Sequence, residues 1–167
     1  DCDGNIYDNC DVCGGDGSSC SQTIHVNQGE SIQDAISVAN PGDIIIVHEG
    51  DYYENLVIEE DNITIKSNYE ENGNSAIIYT VLNGPDSSCD VCPSIISYVN
   101  AIGGSLEGFT IQNGLASIGS AIKLEMSSPT LKKLLIRDNG NSVTQKGGGI
   151  FISSSSPTIV NVTIVNN

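Results

Sequence analysis

The chain has 167 residues, of which 21 are acidic and 6 are basic, so its formal net charge is −15. Such an acidic surface argues against nucleic-acid binding and against an anionic membrane surface, because both need a basic footprint. No apolar run is long enough to insert into a bilayer. Tryptophan is absent, and the abundance of Ile, Ser, Asn and Gly is typical of short strands joined by many turns. The six cysteines favour an oxidising compartment.

Residues 1–22 differ in composition from the rest of the chain. They hold four of the six cysteines and very few apolar residues. A segment of this kind cannot bury a core, so it needs cross-links or a metal ion to hold a structure. We therefore divide the chain into a Cys/Asp-rich module at 1–22 and a second domain at 23–167.

The acidic residues of this module are candidates for a calcium site. Oxygen-bearing side chains alternate around a glycine turn, and Ca²⁺ prefers oxygen ligands. The candidate ligands are Asp1, Asp3, Asn5, Asp8, Asp11 and Asp16. The alternative is a solvated acidic module tied by disulfides, because the position at which an EF-hand loop closes with Glu is Val12 here.

The cysteines allow two interpretations. They are Cys2, Cys10, Cys13, Cys20, Cys89 and Cys92. Two of the spacings are Cys-x-x-Cys pairs, which can form a zinc site, but the even number and the acidic surroundings favour disulfides. The sequence does not choose among the pairings. Because Cys89 and Cys92 lie far from the others, we expect them to close on each other.

One helix is predicted near the start of the second domain. Its apolar residues recur with the period of a single helix face, at Ile32, Ala35, Ile36 and Ala39. Ser31 stands at the capping position, and an Asn-Pro-Gly turn follows the last apolar residue. This pattern predicts a helix over 31–39.

The rest of the chain repeats itself. The segment around Ile111 recurs around Ile136 and again around Ile164. The Ser-Pro-Thr motif at 128–130 recurs 28 residues later, at 156–158, so the period lies in the mid- to upper twenties. Such a period predicts an all-β solenoid in which each repeat forms one coil, whereas a β-sandwich has no reason to repeat in register.

The repeat assigns two ladders of equivalent residues. The first is an inward apolar ladder, because in-register residues on successive coils lie about 4.8 Å apart. Its expected members are Ile65, Ile111, Ile136 and Ile164. The second is a row of asparagines that we expect to bond the turn backbone of neighbouring coils. Its expected members are Asn113, Asn139 and Asn166.

The start of the second domain resembles a known superfamily. The helix, the Pro-Gly-Asp-Ile segment at 41–44 and the Gly-Asp-Tyr-Tyr-Glu segment at 50–54 are similar to the start of right-handed parallel β-helix proteins of the pectate-lyase-like superfamily. The resemblance covers about residues 23–167. It implies a right-handed parallel β-helix whose short N-terminal helix caps the first coil. It does not imply an activity, since this fold hosts lyases, hydrolases, adhesins and fibres.

A second resemblance lies in the N-terminal module. Residues 8–20, Asp-Asn-Cys-Asp-Val-Cys-Gly-Gly-Asp-Gly-Ser-Ser-Cys, resemble the CGVCGGDxSxC segment of ADAMTS-type extracellular proteins, with Asp11 where that segment has Gly. This resemblance implies that the chain is secreted and lies outside the cell or at its surface. It does not imply a protease.

Residues suited to catalysis are scarce. By the superfamily resemblance, lyases would need a Lys or Arg base and hydrolases would need paired Asp residues, and we find no paired-Asp strand motif and no Ser/His/Asp set. We therefore predict a non-catalytic structural or adhesive protein, either a rod segment of a surface protein or a head-to-tail fibre subunit. The alternative is a carbohydrate-binding or polysaccharide-cleaving, lyase-like β-helix that uses the tyrosines.

The expected partners follow from the last repeat. No cap follows the strand before Asn167, so we expect either further chain or another subunit to cover this coil. Self-association of unlike ends would give a filament in which residues 1–22 lap over the neighbour. Neighbouring domains of a longer surface chain and glycans are the other expected partners. Asn62 and Asn161 begin formal glycosylation sequons.

Overall fold

The computed structural model describes residues 21–68, 79–84, 92–140 and 146–167. Within these residues the chain forms one helix and fifteen strands. In chain order they are β1 (Thr23–Val26), α1 (Ile32–Val38), β2 (Ile44–Val47), β3 (Gly50–Tyr52), β4 (Leu56–Ile58), β5 (Thr64–Ser67), β6 (Thr80–Asn83), β7 (Ile96–Val99), β8 (Ile102–Glu107), β9 (Thr110–Gln112), β10 (Ile122–Glu125), β11 (Ser128–Lys132), β12 (Leu135–Arg137), β13 (Ile150–Ser153), β14 (Thr158–Val160) and β15 (Thr163–Val165).

These strands form three sheets. Sheet 1 has the order β1-β2-β5-β8-β11-β14, sheet 2 the order β4-β7-β10-β13, and sheet 3 the order β3-β6-β9-β12-β15. All the strand pairs in them are parallel. From β2 onward the chain visits sheet 1, then sheet 3, then sheet 2, and returns to sheet 1 one strand further along. The described residues therefore form an all-β parallel solenoid, which confirms the coil repeat predicted from the sequence.

Helix α1 packs on the beginning of the solenoid. The Ser31 side chain accepts a hydrogen bond from the Asp34 backbone N–H at 3.1 Å, so the helix begins where the sequence predicts. Its apolar face is buried, and the helix contacts β1, β2 and β4. Strands β1 and β2 belong to sheet 1 and β4 belongs to sheet 2. The helix therefore covers the apolar interior at the N-terminal end of the solenoid.

The interior consists of columns of apolar side chains in register. In sheet 1 the column runs through Ile45, Ile65, Leu106 and Leu131, each of them 0% exposed. In sheet 3 it runs through Tyr52, Leu82, Ile111, Ile136 and Ile164. Each column stacks largely apolar side chains on successive coils, and a member with a coil on each side, such as Ile111 or Ile136, is removed from water.

One member of the expected apolar ladder lies elsewhere. Ile111 pairs with Ile136, and Ile136 pairs with Ile164, but Ile65 pairs with Ile45 and Leu106 in sheet 1. The prediction for Ile65 is therefore wrong. A four-residue strand that alternates polar and apolar residues fits any of the three sheets, so its own pattern does not say which sheet it joins.

The corners of the coils use single residues with positive φ. The corner after sheet 3 has Asn113, Asp138 and Asn166 in this conformation, at φ 63°, 55° and 54°. Asn and Asp are the non-glycine residues that adopt it most readily. Because equivalent corners turn in the same way, successive coils stay in register.

Candidate functional site

An asparagine ladder, with one buried and one exposed member, lies at the corner that follows sheet 3. Asn139, which is 2% exposed, donates from Nδ2 to the carbonyl of Ile111 at 3.0 Å, and its Oδ1 accepts the Gly114 N–H at 2.9 Å. One coil later, Asn167 donates to the carbonyl of Ile136 at 3.0 Å and accepts the Asn139 N–H at 3.0 Å. These bonds satisfy corner backbone groups and tie each coil to the next.

This ladder corrects the one expected from the sequence. Asn113 and Asn166 are not members, because they are the exposed, left-handed residues of the same corner. The inward position after Asn113 is Gly114, where a Cβ atom would collide with the carbonyl oxygen of Ser120. No side chain fits there, so the inward asparagines begin one coil later, at Asn139.

A serine ladder lies at the corner between sheets 2 and 1, and the sequence analysis missed it. The Ser127 hydroxyl accepts the Ala101 N–H at 3.0 Å and donates to the Glu125 carbonyl at 2.8 Å. One coil later, the Ser155 hydroxyl accepts the Ser127 N–H at 2.9 Å and donates to the Ser153 carbonyl at 2.8 Å. The sequence feature that could have predicted this ladder is the serine that directly precedes each copy of the Ser-Pro-Thr motif.

A third set of bonds crosses the outer face of sheet 3. Arg137 donates from Nε to Oε1 of Gln112 at 3.0 Å, and Gln112 donates from Nε2 to Oδ1 of Asn83 at 3.0 Å. Asn83 in turn donates to the Asp51 carboxylate at 3.1 Å. Four consecutive coils are thereby linked through side chains alone.

The carboxylate of Glu54 holds helix α1 to the coil beneath it. Oε1 accepts the Ile32 N–H at 2.9 Å, while Oε2 accepts the Ser31 hydroxyl at 2.7 Å and the Gln33 N–H at 3.2 Å. These N–H groups lack partners inside the helix, and the negative charge faces the positive end of the helix dipole. Glu54 thus has a structural role, and its oxygens are occupied.

A shallow cleft of about 320 Å³ lies next to this carboxylate. It is lined by Gly29, Glu30, Ser31, Asp51, Tyr52, Tyr53 and Glu54. Glu30 accepts hydrogen bonds from the backbone and side-chain nitrogens of Asn27 at 2.7 and 3.1 Å, and these bonds lower the pKa of Glu30. Burial raises the pKa of Tyr52, whereas Tyr53 is 63% exposed. The cleft therefore offers one exposed aromatic ring beside carboxylates that already have partners.

The two histidines of the chain meet on the outer surface of the opening coils. Nδ1 of His25 lies 3.0 Å from Nε2 of His48, and the ring centroids are 5.2 Å apart. The side-chain amide of Asn68 lies 3.3 Å from Nδ1 of His48. The sequence separation of His25 and His48 is close to one coil, but sequence reasoning gave them no role.

The predicted calcium ligands and most cysteines lie outside the described residues. This holds for the whole set at 1–20 and for Cys89. Cys92 is 7% exposed and disulfide-bonded, and its partner also lies outside that part of the chain. Among the residues described, no three His, Cys, Asp or Glu side chains converge as a metal site would require.

Comparison of the chain with protein-family models, with curated proteins and with solved structures found no match. In the part of the chain that the structure describes, no helix is both long and apolar enough to cross a membrane. The function is therefore inferred from the geometry of the ladders, the cleft and the histidine pair.

Proposed function

We propose that the chain is a non-catalytic extracellular β-solenoid with a structural or adhesive role, as a rod segment of a surface protein or a head-to-tail fibre subunit. We propose the right-handed form of the coil, from the superfamily resemblance. The observation that carries the proposal is the pair of corner ladders built from asparagine and serine. Their polar groups bond to neighbouring coils instead of converging on a shared point.

The ladders suit a protein that bears force along its axis. Strand pairing alone joins consecutive coils through backbone bonds, and the ladders add buried side-chain bonds at the corners between them. A hydrogen bond of this type contributes about 1 kcal/mol, and leaving its buried partner unpaired costs more. In a solenoid such terms add from one coil to the next, so the resistance of a rod grows with its length.

Self-association, or packing on a neighbouring domain of a longer surface chain, is the interaction that we propose for this solenoid. What supports it is the parallel stacking of all three sheets in one direction, which a further coil of matching register can continue.

We also propose that the module at 1–22 is held by disulfides and binds Ca²⁺. Intact-mass measurement before reduction should find no free thiol, and chelation of calcium should lower the thermal midpoint of the chain. Alkylation of four thiols without reductant, together with stoichiometric zinc, would support the zinc alternative instead.

The test of the structural role has two arms. The chain should release neither reducing sugar nor unsaturated uronate from acidic and neutral polysaccharides. Pulled from its ends, it should unfold in successive steps of about one coil, and Asn139→Ala should weaken the step that contains this corner. Clear turnover on any polysaccharide would contradict the proposal.

The exposed ring of Tyr53 favours carbohydrate binding as the second candidate function. An aromatic face can pack against the apolar face of a sugar ring, and the Asp51 carboxylate lines the same cleft. Under this alternative, Tyr53→Ala should abolish binding on a glycan array. The matched control is Tyr79→Ala, because Tyr79 is 53% exposed and does not line the cleft.

A further inference from the structure

The histidine pair is held in place by the backbone around it. His25 lies within β1, in register with Ile46 of β2. The His48 N–H donates to the carbonyl of Val26 at 2.9 Å, and the His48 carbonyl accepts the Tyr52 hydroxyl at 2.9 Å. Both rings therefore extend from fixed backbone, which reduces the ordering that a ligand would otherwise have to impose.

Asn68 lies against the nitrogen of His48 that faces away from His25. Its Nδ2 donates to Nδ1 of His48 at 3.3 Å, so Nε2 of His48 carries the ring proton and faces Nδ1 of His25 at 3.0 Å. Metal binding at Nε2 therefore requires the other tautomer of His48, with the proton on Nδ1 and the Asn68 amide turned so that its oxygen accepts that proton. A hydrogen bond to the remote ring nitrogen is the usual way in which proteins orient a metal-binding histidine.

We propose that His25 and His48 together bind one divalent transition-metal ion, through Nδ1 of His25 and Nε2 of His48. Two imidazole nitrogens bound to one tetrahedral ion at about 2.0–2.1 Å are separated by about 3.3 Å. The separation of these nitrogens is 3.0 Å, so the rings need to move apart by only about 0.3 Å. The site joins two consecutive coils, and bound metal therefore clamps them together.

The chemistry of the pair selects the class of ion. Neutral imidazole suits Zn²⁺, Ni²⁺ and Cu²⁺, and affinity rises to its maximum at Cu²⁺. In the described part of the chain no third protein donor joins the two rings, so water fills the remaining positions. The net charge of −15 draws cations toward the surface in general.

The test is a Cu²⁺ titration of the full chain with its disulfides intact, followed by calorimetry and electron paramagnetic resonance. The wild-type chain should bind one equivalent whose spectrum shows coupling to two nitrogens. His25→Ala and His48→Ala should each weaken this binding at least tenfold and leave coupling to one nitrogen. The double variant should lose the nitrogen-coupled equivalent altogether. Asn68→Ala should weaken binding less than either single histidine variant.

Copper bound by acidic groups elsewhere is separated by its spectrum, because oxygen ligands give no such nitrogen coupling. Lys66→Ala is the matched control, since Lys66 lies on the same outer face of sheet 1 and should bind as the wild type does. Far-UV circular dichroism without metal checks that each variant is folded. A nitrogen-coupled equivalent that persists in the double variant, or equal affinity in the wild type and both single variants, would overturn the proposal.

Discussion

The opening and final coils carry isoleucine at the same column of sheet 1, yet the two differ in exposure. Ile45 lies between β1 and β5 and is 0% exposed, whereas Ile159 in β14 has β11 as its one neighbour among the described strands and is 47% exposed. Residue type is the same in both coils. The difference teaches that burial in this fold comes from a neighbouring coil on each side, so stability resides in the interfaces between coils.

The largest expected effect distinguishes an inner residue of the sheet 3 column from the last residue of the same column. Ile136 is 0% exposed and Ile164 is 51% exposed. Ile136→Ala should lower the free energy of unfolding by about 2–5 kcal/mol, because it leaves a cavity between two coils. Ile164→Ala should cost well under half as much. Urea denaturation of the two variants measures the difference, and equal losses would mean that the stacking does not determine burial.

The asparagine ladder gives the next largest effect. Asn139→Ala removes bonds to two coils and should cost about 1–3 kcal/mol, because buried backbone groups lose their partner. Asn139→Asp should be destabilising as well, since a carboxylate cannot donate to the Ile111 carbonyl. The control is Asn166→Gly, at the exposed position of the next coil, because glycine adopts the positive φ of this residue without strain. Thermal unfolding compares them, and equal midpoints for Asn139→Ala and Asn166→Gly would contradict the ladder.

Removing the Glu54 carboxylate, which holds helix α1 on the opening coil, should lower the free energy of unfolding by less than removing the Asn139 amide does. Glu54→Ala removes the acceptor of three hydrogen bonds at the start of α1. We expect a loss of about 1 kcal/mol, as for other helix caps. Glu60→Ala, which removes an exposed carboxylate, serves as the control. If both variants unfold at the same temperature, Glu54 does not anchor the helix.

The smallest effect concerns Tyr98, inside the middle of the stack. Its buried hydroxyl has no hydrogen-bond partner among the residues that the structure describes, and burial raises the pKa of Tyr98. Tyr98→Phe should therefore leave stability unchanged or raise it by about 1 kcal/mol. Chemical denaturation at neutral pH measures this gain, and a loss above about 1 kcal/mol would show that the hydroxyl is bonded.

The same residue predicts a pH dependence. The folded state keeps Tyr98 protonated, while the unfolded chain ionises near its usual pKa of about 10. The stability that depends on the neutral hydroxyl is therefore complete below pH 10 and is lost as the pH rises above it. Tyr98→Phe should show a shallower loss between about pH 10 and 12 than the wild type. Parallel slopes would contradict the assignment.

The coil architecture and the helix were predictable because each leaves a periodic signal in the sequence. The strand that contains Ile65 was assigned to the wrong column, because its pattern fits every sheet and only pairing with Ile45 fixes its place. Asn139 was predicted as a ladder residue, but Asn113 and Asn166 lie one residue before the inward position, and the close approach of backbone at Gly114 is invisible in a repeat alignment. The histidine pair leaves no local motif, and only the register between β1 and β2 brings its rings together.

Amide hydrogen exchange, measured strand by strand by NMR on a dilute sample, tests the central claim most directly. If coils are stabilised by their neighbours, protection should be highest in β9 and β12, which have a strand on each side, and should fall toward β15. In Asn139→Ala the protection of β12 and β15 should fall before that of β3. Uniform protection along all strands of sheet 3, or the highest protection in β15, would contradict the account.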